Sequence, residues 1–333
     1  MESIRTHVRR ARLYDRPVPD LPRRRALALL GLPLLAGVSG CVGRGWAQFD
    51  SARVRIATGN PGGVFVRYGR ALTTVLETRL DGVDAQAHGT DASLENLRLV
   101  AERECDVGFS LGDAAADAVT SDDRDLVALA RMYDSFVHLV VREDSGVRRV
   151  ADLRTARIGV GAPGSGTRVI AGRILDVHGV REPTARFADS SLQDSADDLR
   201  SGRLDAFFFV SGLPNQAIAL LSDQVPLRLL DLGDAVEPMV AAYGPQYVRA
   251  PIPPSAYGLP DAVSTLSVKN YLVANPAVGD DLAYAITRLV FEAQDEIERL
   301  EPGVSQPTFG AAIFTSPLAL HPGALRYYRE RGA

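Results

Sequence analysis

Apolar and polar positions alternate in short blocks from residue 52 onward, and the blocks repeat the order strand, loop, helix. ARVRIATG (52–59) has the two-residue period of a strand, GNPGG interrupts it, and helix-forming residues continue to Gly82. The same pattern predicts further strands at VDAQAHG, CDVGFSLG, LVALARMY and FVHLVVRED. Between them, DASLENLRLVAERE predicts a helix capped by Asp91 or Ser93. Its apolar face is formed by Leu94, Leu97, Val100 and Ala101.

The alternation restarts near residue 151 and predicts a second set of strands and helices. The strands are expected at ARIGVG, TARFAD and LDAFFFVSG, and the helices at 167–178, SLQDSADDLRSG and NQAIALLSD. A proline-rich crossing from residue 247 follows. After it come the alternating segment STLSVKNYLVAN, one long helix over DDLAYAITRLVFEAQDEIERL, and a helical tail expected to pack on the first half. This order predicts an α/β fold with mainly parallel sheets flanked by helices.

Two stretches, 96–113 and 198–212, resemble each other. Each runs from a helix end through an aspartate, Asp106 or Asp205, into an apolar strand that stops at a small polar loop. The similarity predicts two lobes of related design, although it is too short to establish duplication.

Composition and charge narrow the function. The 333-residue chain is 46% hydrophobic with a net charge of −4, which provides for one or two globular cores and gives no basic excess for nucleic acid. The expected partner is a small molecule. The chain has two cysteines and its histidines are scattered, so we expect no disulfide framework, no metal site and no cofactor.

The first 41 residues predict an export signal. Arginines up to Arg25 precede an apolar run at 26–38, too short to span a membrane, and the run ends in VSGC with Cys41. Small residues before a cysteine resemble a bacterial lipobox. We therefore expect acylation of Cys41, a linker at 42–52, and an extracytoplasmic lipoprotein anchored to the cell membrane. Simple secretion, a periplasmic location and an ordinary N-terminal helix are the alternatives, and general secretory and twin-arginine export both stay open.

The loop RIGVGAPGSGT (157–167) has the spacing Gly-x-Gly-x-x-Gly between a predicted strand and helix. A dinucleotide site would need an acid at a strand end about 20 residues on, but Asp176 falls inside the helix and Glu182 precedes the next strand. A P-loop would need a lysine where Ser165 follows the last glycine of the motif. A second glycine loop, 58–63, also joins a strand to a helix. Because such turns expose backbone N–H groups, the two loops predict a site that grips a small anion from both sides.

Five segments together resemble one known family. They are IATGNPGGVF, GTDASLENLRLVAERECDVGFSLGDAA, MYDSFVHLVVREDSGVRRVADLRTARIGVGAPGSGT, LDAFFFVSGLPN and LHPGALRYYRERG. They are similar to the TAXI family, the extracytoplasmic solute receptors of TRAP-type secondary transporters, over about residues 53–331. The resemblance implies a two-lobed periplasmic-binding-protein fold of type II with the ligand cleft between the lobes. Lobe 1 would comprise 53–140 and 268–333, and lobe 2 would comprise 141–267.

The same resemblance implies a function in transport. A monomeric receptor would capture a small organic anion, glutamate-like or another carboxylate, and deliver it to the permease subunits of a TRAP-type transporter. The chain departs from the family where Val64 and Phe65 follow Gly63, and where Leu111 and Leu213 replace a glutamine and a tyrosine. Apolar groups thus replace polar ones, so the resemblance implies the fold and not a specific ligand.

The candidate ligand-binding residues follow the predicted strands. They are Thr58, Gly59, Gly63, Gly89, Ser93, Ser110, Asp113, Gly164, Ser165, Gly166, Thr167, Ser211, Asn215 and Tyr257. Residues 164–167 are expected to bind a carboxylate through backbone N–H groups and hydroxyls. Ser93 is equally explained as a helix cap, the strand-end residues as turn residues, and Tyr257 as a packing residue. Arg67 is either an extra cation for a dicarboxylate or an exposed helix charge.

Other functions remain as rivals. A secreted hydrolase would need a nucleophile oriented by a base, and Ser165 has neither the Gly-x-Ser-x-Gly context nor a histidine near it in sequence. A lipoprotein that presents its ligand to a membrane sensor would share the receptor fold. In either receptor, ligand-driven closure needs contacts from both lobes, with the strand crossings near 140 and 268 as hinges.

Overall fold

The computed structural model describes residues 48–333, in which strands and helices alternate. The strands are β1 (Ala52–Ala57), β2 (Val83–His88), β3 (Val107–Leu111), β4 (Val127–Arg142), β5 (Arg157–Gly161), β6 (Arg186–Asp189), β7 (Ala206–Ser211), β8 (Leu227–Leu229), β9 (Tyr247–Ile252) and β10 (Val263–Ala274). The helices are α1 (Val64–Arg79), α2 (Ser93–Ala101), α3 (Gly112–Thr120), α4 (Gly166–Val177), α5 (Leu192–Ser201), α6 (Gln216–Ser222), α7 (Val236–Tyr243), α8 (Asp280–Glu292), α9 (Gln294–Leu300) and α10 (Pro322–Glu330).

Short 3-10 turns complete the described part of the chain, at Val150–Thr155, Gly233–Ala235, Pro254–Ala256 and Phe309–Ala311. The predicted export signal at 1–41, its acylation site Cys41 and the linker as far as residue 47 lie outside the described residues. Within residues 48–333, no helix has the length and apolar character needed to cross a bilayer.

The strands form one continuous sheet in the order β2-β1-β3-β10-β4-β7-β5-β6, with β8 paired to β4 and β9 paired to β10. The outer strands are parallel: β1 pairs with β2 and β3, and β5 pairs with β6 and β7. The two long central strands, β4 and β10, pair antiparallel with each other and with both sets of neighbours. Each end of the sheet is therefore a parallel α/β unit, and β4 and β10 join the two ends.

Four hydrophobic clusters cover the two faces at each end of the sheet. Because side chains alternate along a strand, Leu272 belongs to one cluster and its neighbour Tyr271 to the cluster on the opposite face. In β7, Phe208 and Phe207 are divided in the same way between the other two clusters. The helical tail packs on the first half, as the sequence predicts, and the Tyr328 hydroxyl donates to the Leu129 carbonyl at 2.9 Å.

Several boundaries differ from the sequence prediction. The two strands predicted at LVALARMY and FVHLVVRED are one strand, β4, and the long helix predicted after residue 280 breaks at Ala293 into α8 and α9. Neither Asp91 nor Ser93 caps α2, since its N-cap is Ala92 and the Ser93 hydroxyl accepts a hydrogen bond from the Leu111 N–H instead. A tertiary contact therefore takes the side chain that local propensity assigned to capping.

The two aspartates of the internal similarity occupy equivalent places. Asp106 makes two hydrogen bonds to Arg55 of β1. Its backbone N–H donates to the Arg55 carbonyl at 2.9 Å, and its carboxylate accepts from the Arg55 N–H at 2.7 Å. Asp205 makes the same pair of bonds with Arg157 of β5, at 2.9 and 2.8 Å. Each aspartate thus joins the start of one parallel strand, β3 or β7, to its neighbour, β1 or β5, so the two similar stretches share a physical role.

We expect Asp106→Ala to lower the free energy of unfolding by about 1–3 kcal/mol, because the half-buried Arg55 N–H loses its acceptor. Urea unfolding of the purified protein measures the change. Asp106→Asn, whose side-chain oxygen can still accept, should retain most of the stability. Asp84→Ala removes an exposed aspartate of β2 and should shift stability by less than about 0.5 kcal/mol. Equal losses in Asp106→Ala and Asp84→Ala would contradict this role.

Candidate functional site

Three helix N-termini meet at one cavity of about 40 Å³. The cavity walls are Gly59, Asn60 and residues 63–65 before and within α1, Ala92 and Ser93 at α2, residues 165–167 at α4, and Leu111, Tyr133, Ser135 and residues 209–211 on the sheet. The parallel strands β1, β3, β5 and β7 all end towards this region, so the helices that follow them begin there. Helix N-termini carry free N–H groups and partial positive charge, which makes their convergence a site for an anion.

Both glycine loops predicted to grip the ligand contribute to the cavity wall. The Leu94 N–H of α2 donates to the Gly164 carbonyl at 3.0 Å, so the α2 and α4 loops touch directly. A Cβ added to Gly166 would lie 2.5 Å from Leu111 Cδ1 and 2.9 Å from Ser93 Oγ. Glycine at 166 is therefore what lets the start of α4 approach the first half this closely.

The hydroxyls of the second loop hold the protein itself together. Ser165 caps α4: its Oγ accepts from the Arg168 N–H at 3.1 Å and donates to the Ala162 carbonyl at 2.7 Å. Thr167 Oγ1 accepts from the Val210 N–H of β7 at 3.2 Å. These bonds orient the loop. The hydroxyls are thereby occupied, and the first backbone N–H groups of helix α4 are left as the polar groups for a ligand.

The predicted site residues divide into two groups. The structure brings Gly59, Gly63, Ser93, Ser165, Gly166, Thr167 and Ser211 to the cavity wall. It places Thr58, Gly89, Ser110, Asp113, Gly164, Asn215 and Tyr257 outside that wall. Members of the second group mostly support the loops that carry the first.

Thr58 and Ser110 fix the ends of neighbouring strands. The Thr58 hydroxyl donates to the His88 carbonyl at 2.8 Å, and the Ser110 hydroxyl donates to the Leu111 carbonyl at 3.0 Å. The buried Asn96 amide donates to the Thr58 and Phe109 carbonyls at 2.6 and 2.7 Å. Thr58 and Ser110 are both fully buried, so their hydroxyls serve the scaffold that ends beneath the cavity.

Asp113 belongs to a buried ion pair that joins the two halves of the chain. Its Oδ2 accepts from Arg173 of α4 at 3.2 Å and from the Tyr247 hydroxyl at 2.8 Å. Arg173 also donates to Asp117 and stacks over the Tyr243 ring at 4.8 Å. Burial raises the pKa of Asp113 in spite of these donors, and its Oδ1 has no partner within the described chain.

Tyr257 and Asn215 form a second support with His138, beneath Ser211. The Tyr257 hydroxyl accepts from the Asn215 N–H and lies 2.8 Å from His138 Nε2, so its proton is free to donate to that nitrogen. His138 Nδ1 lies 3.3 Å from the Phe209 carbonyl, which assigns the proton of a neutral imidazole to Nδ1. The Asn215 amide in turn donates to Ser211 Oγ at 3.2 Å.

Arg67 is not a cation of the cavity. Its guanidinium donates to Glu301 at 2.9 Å and to the Pro302 carbonyl at 2.6 Å. The structure therefore places Arg67 in an ion pair outside the cavity wall, whereas the sequence offered a cation for a dicarboxylate or an exposed helix charge.

Sequence reasoning missed several wall residues. Tyr133 and Ser135 lie in the middle of β4, where no turn or glycine marks a site, and Phe65 and Phe209 read as ordinary apolar positions. Only the pairing of β4 with β10 brings the first two beside the glycine loops. The two consecutive polar residues Asp134 and Ser135, which interrupt the alternation of this strand, are the one signal the sequence offers.

Comparison with known families identifies the chain. The sequence profile of the NMT1-like family matches residues 56–332. The chain belongs to the NMT1-like family. The glycine loops, the cavity wall and the tail helix α10 all lie inside the matched region.

Solved structures share the fold of this NMT1-like chain at low identity. PhnD1 from Prochlorococcus marinus (MIT 9301), in complex with methylphosphonate, is similar with a TM-score of 0.52 and 12% identity over 74% of this chain and 88% of its own. A protein from Bordetella bronchiseptica RB50 is similar with a TM-score of 0.51 and 18% identity over 84% of this chain and 83% of its own. The predicted α/β fold of type II periplasmic solute-binding proteins is confirmed.

The buried histidine predicts a pH dependence of stability. Burial lowers the pKa of His138 to about 4, whereas the unfolded chain should titrate near 6.5. Between these values the unfolded state binds more protons, so this group's contribution is complete above pH 6.5 and is lost as pH falls towards 4. The loss should reach about 3 kcal/mol.

Urea unfolding at several pH values across this window tests the assignment. His138→Gln should show a shallower fall in stability than the native protein, because the titrating group is gone. His88→Gln, at an exposed position of β2, should keep the native slope. An unchanged slope in His138→Gln would contradict a neutral buried imidazole.

Proposed function

We propose that this NMT1-like protein is an extracytoplasmic receptor that captures a small organic anion and delivers it to a membrane permease. The observation that carries the proposal is the convergence of the α1, α2 and α4 N-termini on one cavity. Fixed N–H dipoles bind a carboxylate, sulfonate or phosphonate without a metal or a cationic side chain. The cavity is far smaller than the several hundred Å³ of a cofactor pocket, which argues against a dinucleotide.

The resemblance to TAXI receptors supports a TRAP-type transporter as the partner, and the family match supports the broader receptor class. PhnD1 binds methylphosphonate, itself a small anion, although its 12% identity transfers the fold and not the ligand. We retain the proposals that residues 1–41 direct export and that acylated Cys41 holds the receptor at the membrane as a monomer. A lipoprotein sensor that presents the same ligand to another membrane protein is the alternative.

Closure of two lobes on the ligand is the proposed mechanism. Each long strand passes from the hydrophobic cluster of one half to that of the other. In β4 the change occurs between Tyr133 and Val137, and in β10 between Val268 and Leu272. We therefore propose that the hinge lies at 134–136 and 269–271, close to the crossings expected near 140 and 268. The bond from Leu94 to the Gly164 carbonyl exists only when the α2 and α4 loops meet. A ligand touching both loops would stabilise that arrangement by its extra contacts with it.

A thermal-shift screen of the purified protein tests the function. The panel contains short monocarboxylates, dicarboxylates, amino acids, sulfonates, phosphonates and NAD. An organic acid at 100 times its dissociation constant should add about 2.7 kcal/mol to the stability of the folded state. A response to NAD alone, or to none of the acids, would overturn the proposal. Capture of permease subunits, rather than of a sensor protein, by the ligand-loaded receptor would separate transport from sensing.

We expect Gly166→Ala to weaken binding of the acid found in this screen at least tenfold. The added methyl would meet Leu111 and Ser93 and hold the α4 loop away from α2. Gly172→Ala makes the same substitution in the same helix, where the new Cβ would meet only the Arg168 guanidinium at 3.6 Å. It should leave affinity unchanged and favour the helix. Isothermal titration of both variants measures this, and equal affinities would contradict closure through Gly166.

A further inference from the structure

The cavity wall has an unusual charge pattern for a site that receives an anion. None of the residues that line it within the described chain is charged. The arginines nearest in sequence are engaged elsewhere: Arg67 pairs with Glu301, and Arg168 pairs with Asp189 at 2.7 Å. Asp91 lies beside Gly164 but is exposed and outside the wall. The helix N-termini are therefore the positive groups in the wall itself.

This pattern limits the charge that a ligand can carry. Helix N-termini stabilise one negative group, but a second carboxylate would have no counter-charge at the opposite wall. An α-ammonium would meet the same positive ends of the helices and no carboxylate to pair with. Burying either charge without a partner costs several kcal/mol, so the wall favours a single negative charge.

Apart from its hydroxyls and the Asn60 amide, the wall presents apolar side chains. The cavity is lined on its apolar part by Val64, Phe65, Leu111, Phe209 and Val210. On the scale where roughly 10–15 Å³ of cavity holds one water, its volume of about 40 Å³ holds roughly three, the size of a small organic acid. A short hydrocarbon remainder fits these walls, and a long or branched one does not.

One buried polar group of the wall still lacks a partner among the described residues. Tyr133 is 7% exposed, and its hydroxyl has no hydrogen-bond partner among the described residues. The other wall hydroxyls differ: Ser135 Oγ accepts from Asn270 at 2.9 Å, and Ser211 Oγ accepts from Asn215 at 3.2 Å. Burial raises the pKa of Tyr133 well above its usual value, so the phenol keeps its proton. A buried donor without an acceptor is costly unless a ligand supplies one.

We propose that the site binds a short-chain organic monoanion such as propionate, and excludes amino acids and dicarboxylates. The negative group lies at the N-termini of α1, α2 and α4, the Tyr133 hydroxyl donates to it, and the hydrocarbon remainder packs on Phe65 and Phe209. This inference rests on the proposed receptor function and narrows its ligand class, which contrasts with the glutamate-like ligand that the TAXI resemblance implies.

Four compounds with the same three-carbon skeleton test the charge rule by isothermal titration on the purified protein. They are propionate, L-alanine, malonate and propionamide, with ethanesulfonate added as a monoanion of different headgroup. Propionate or ethanesulfonate should bind at least tenfold more tightly than alanine, malonate and propionamide. Alanine or malonate binding as tightly as propionate would overturn the inference.

Titration with glutamate and succinate beside these compounds separates this inference from the receptor function. If glutamate or succinate binds and propionate does not, the receptor function stands and the monoanion rule fails. If none of the organic acids binds, both fail.

Tyr133→Phe tests the hydroxyl, with Tyr68→Phe as the matched control. Tyr68 is likewise a buried tyrosine with an unpartnered hydroxyl, but it does not line the cavity. Tyr133→Phe should weaken propionate binding about tenfold, and Tyr68→Phe should leave it unchanged. Neither should lower the melting temperature without ligand, because each removes an unpaired buried group. Equal affinities in the two variants would overturn the role of Tyr133.

Discussion

The antiparallel pairing of β4 with β10 is the constraint on which the structure depends. These two strands carry the chain between the parallel units at the ends of the sheet, and the wall residues Tyr133 and Ser135 lie on β4 at their crossing. The pairing shifts register between Lys269 and Tyr271, and the Asn270 amide bonds the Tyr133 carbonyl and Ser135 Oγ there, at 2.8 and 2.9 Å. An irregular ladder is thus stabilised by a buried amide directly beneath the cavity, which couples the crossing to the site.

Repetition of one local design builds the two sides of the site. In each half, an aspartate joins a parallel strand, β1 or β5, to its neighbour, and that strand ends in a glycine loop that starts a helix. The halves then diverge in what their loops do. The α4 loop is ordered by its own cap, Ser165, whereas the loop that meets it from the first half, the one before α2, bends through Ala92 with a φ of 81°, a conformation that favours glycine. Ala92 lines the cavity, so local strain sits where the two loops meet.

Charge is distributed so that the cavity itself stays neutral. The buried pair of Arg173 with Asp113 joins α4 to α3 outside the cavity wall. Arg67 pairs with Glu301, the residue that follows α9. Ionic groups therefore stabilise the arrangement of elements, while backbone dipoles are left to act on the ligand. Dipoles fixed by the fold need no reorganisation on binding, which suits a receptor that must release its ligand as well as capture it.

The sequence alone determined the α/β class, the positions of most strands and helices and the importance of the two glycine loops, because periodicity and glycine turns are local properties. Seven of the candidates predicted from the sequence, among them Gly166 and Ser211, line the cavity. They could be predicted because helices that follow parallel strands begin at one edge of a sheet. The sequence could not find Tyr133, nor exclude Arg67. Those residues depend on which strands pair and which distant carboxylate is near, and such long-range proximity is decided only by tertiary packing.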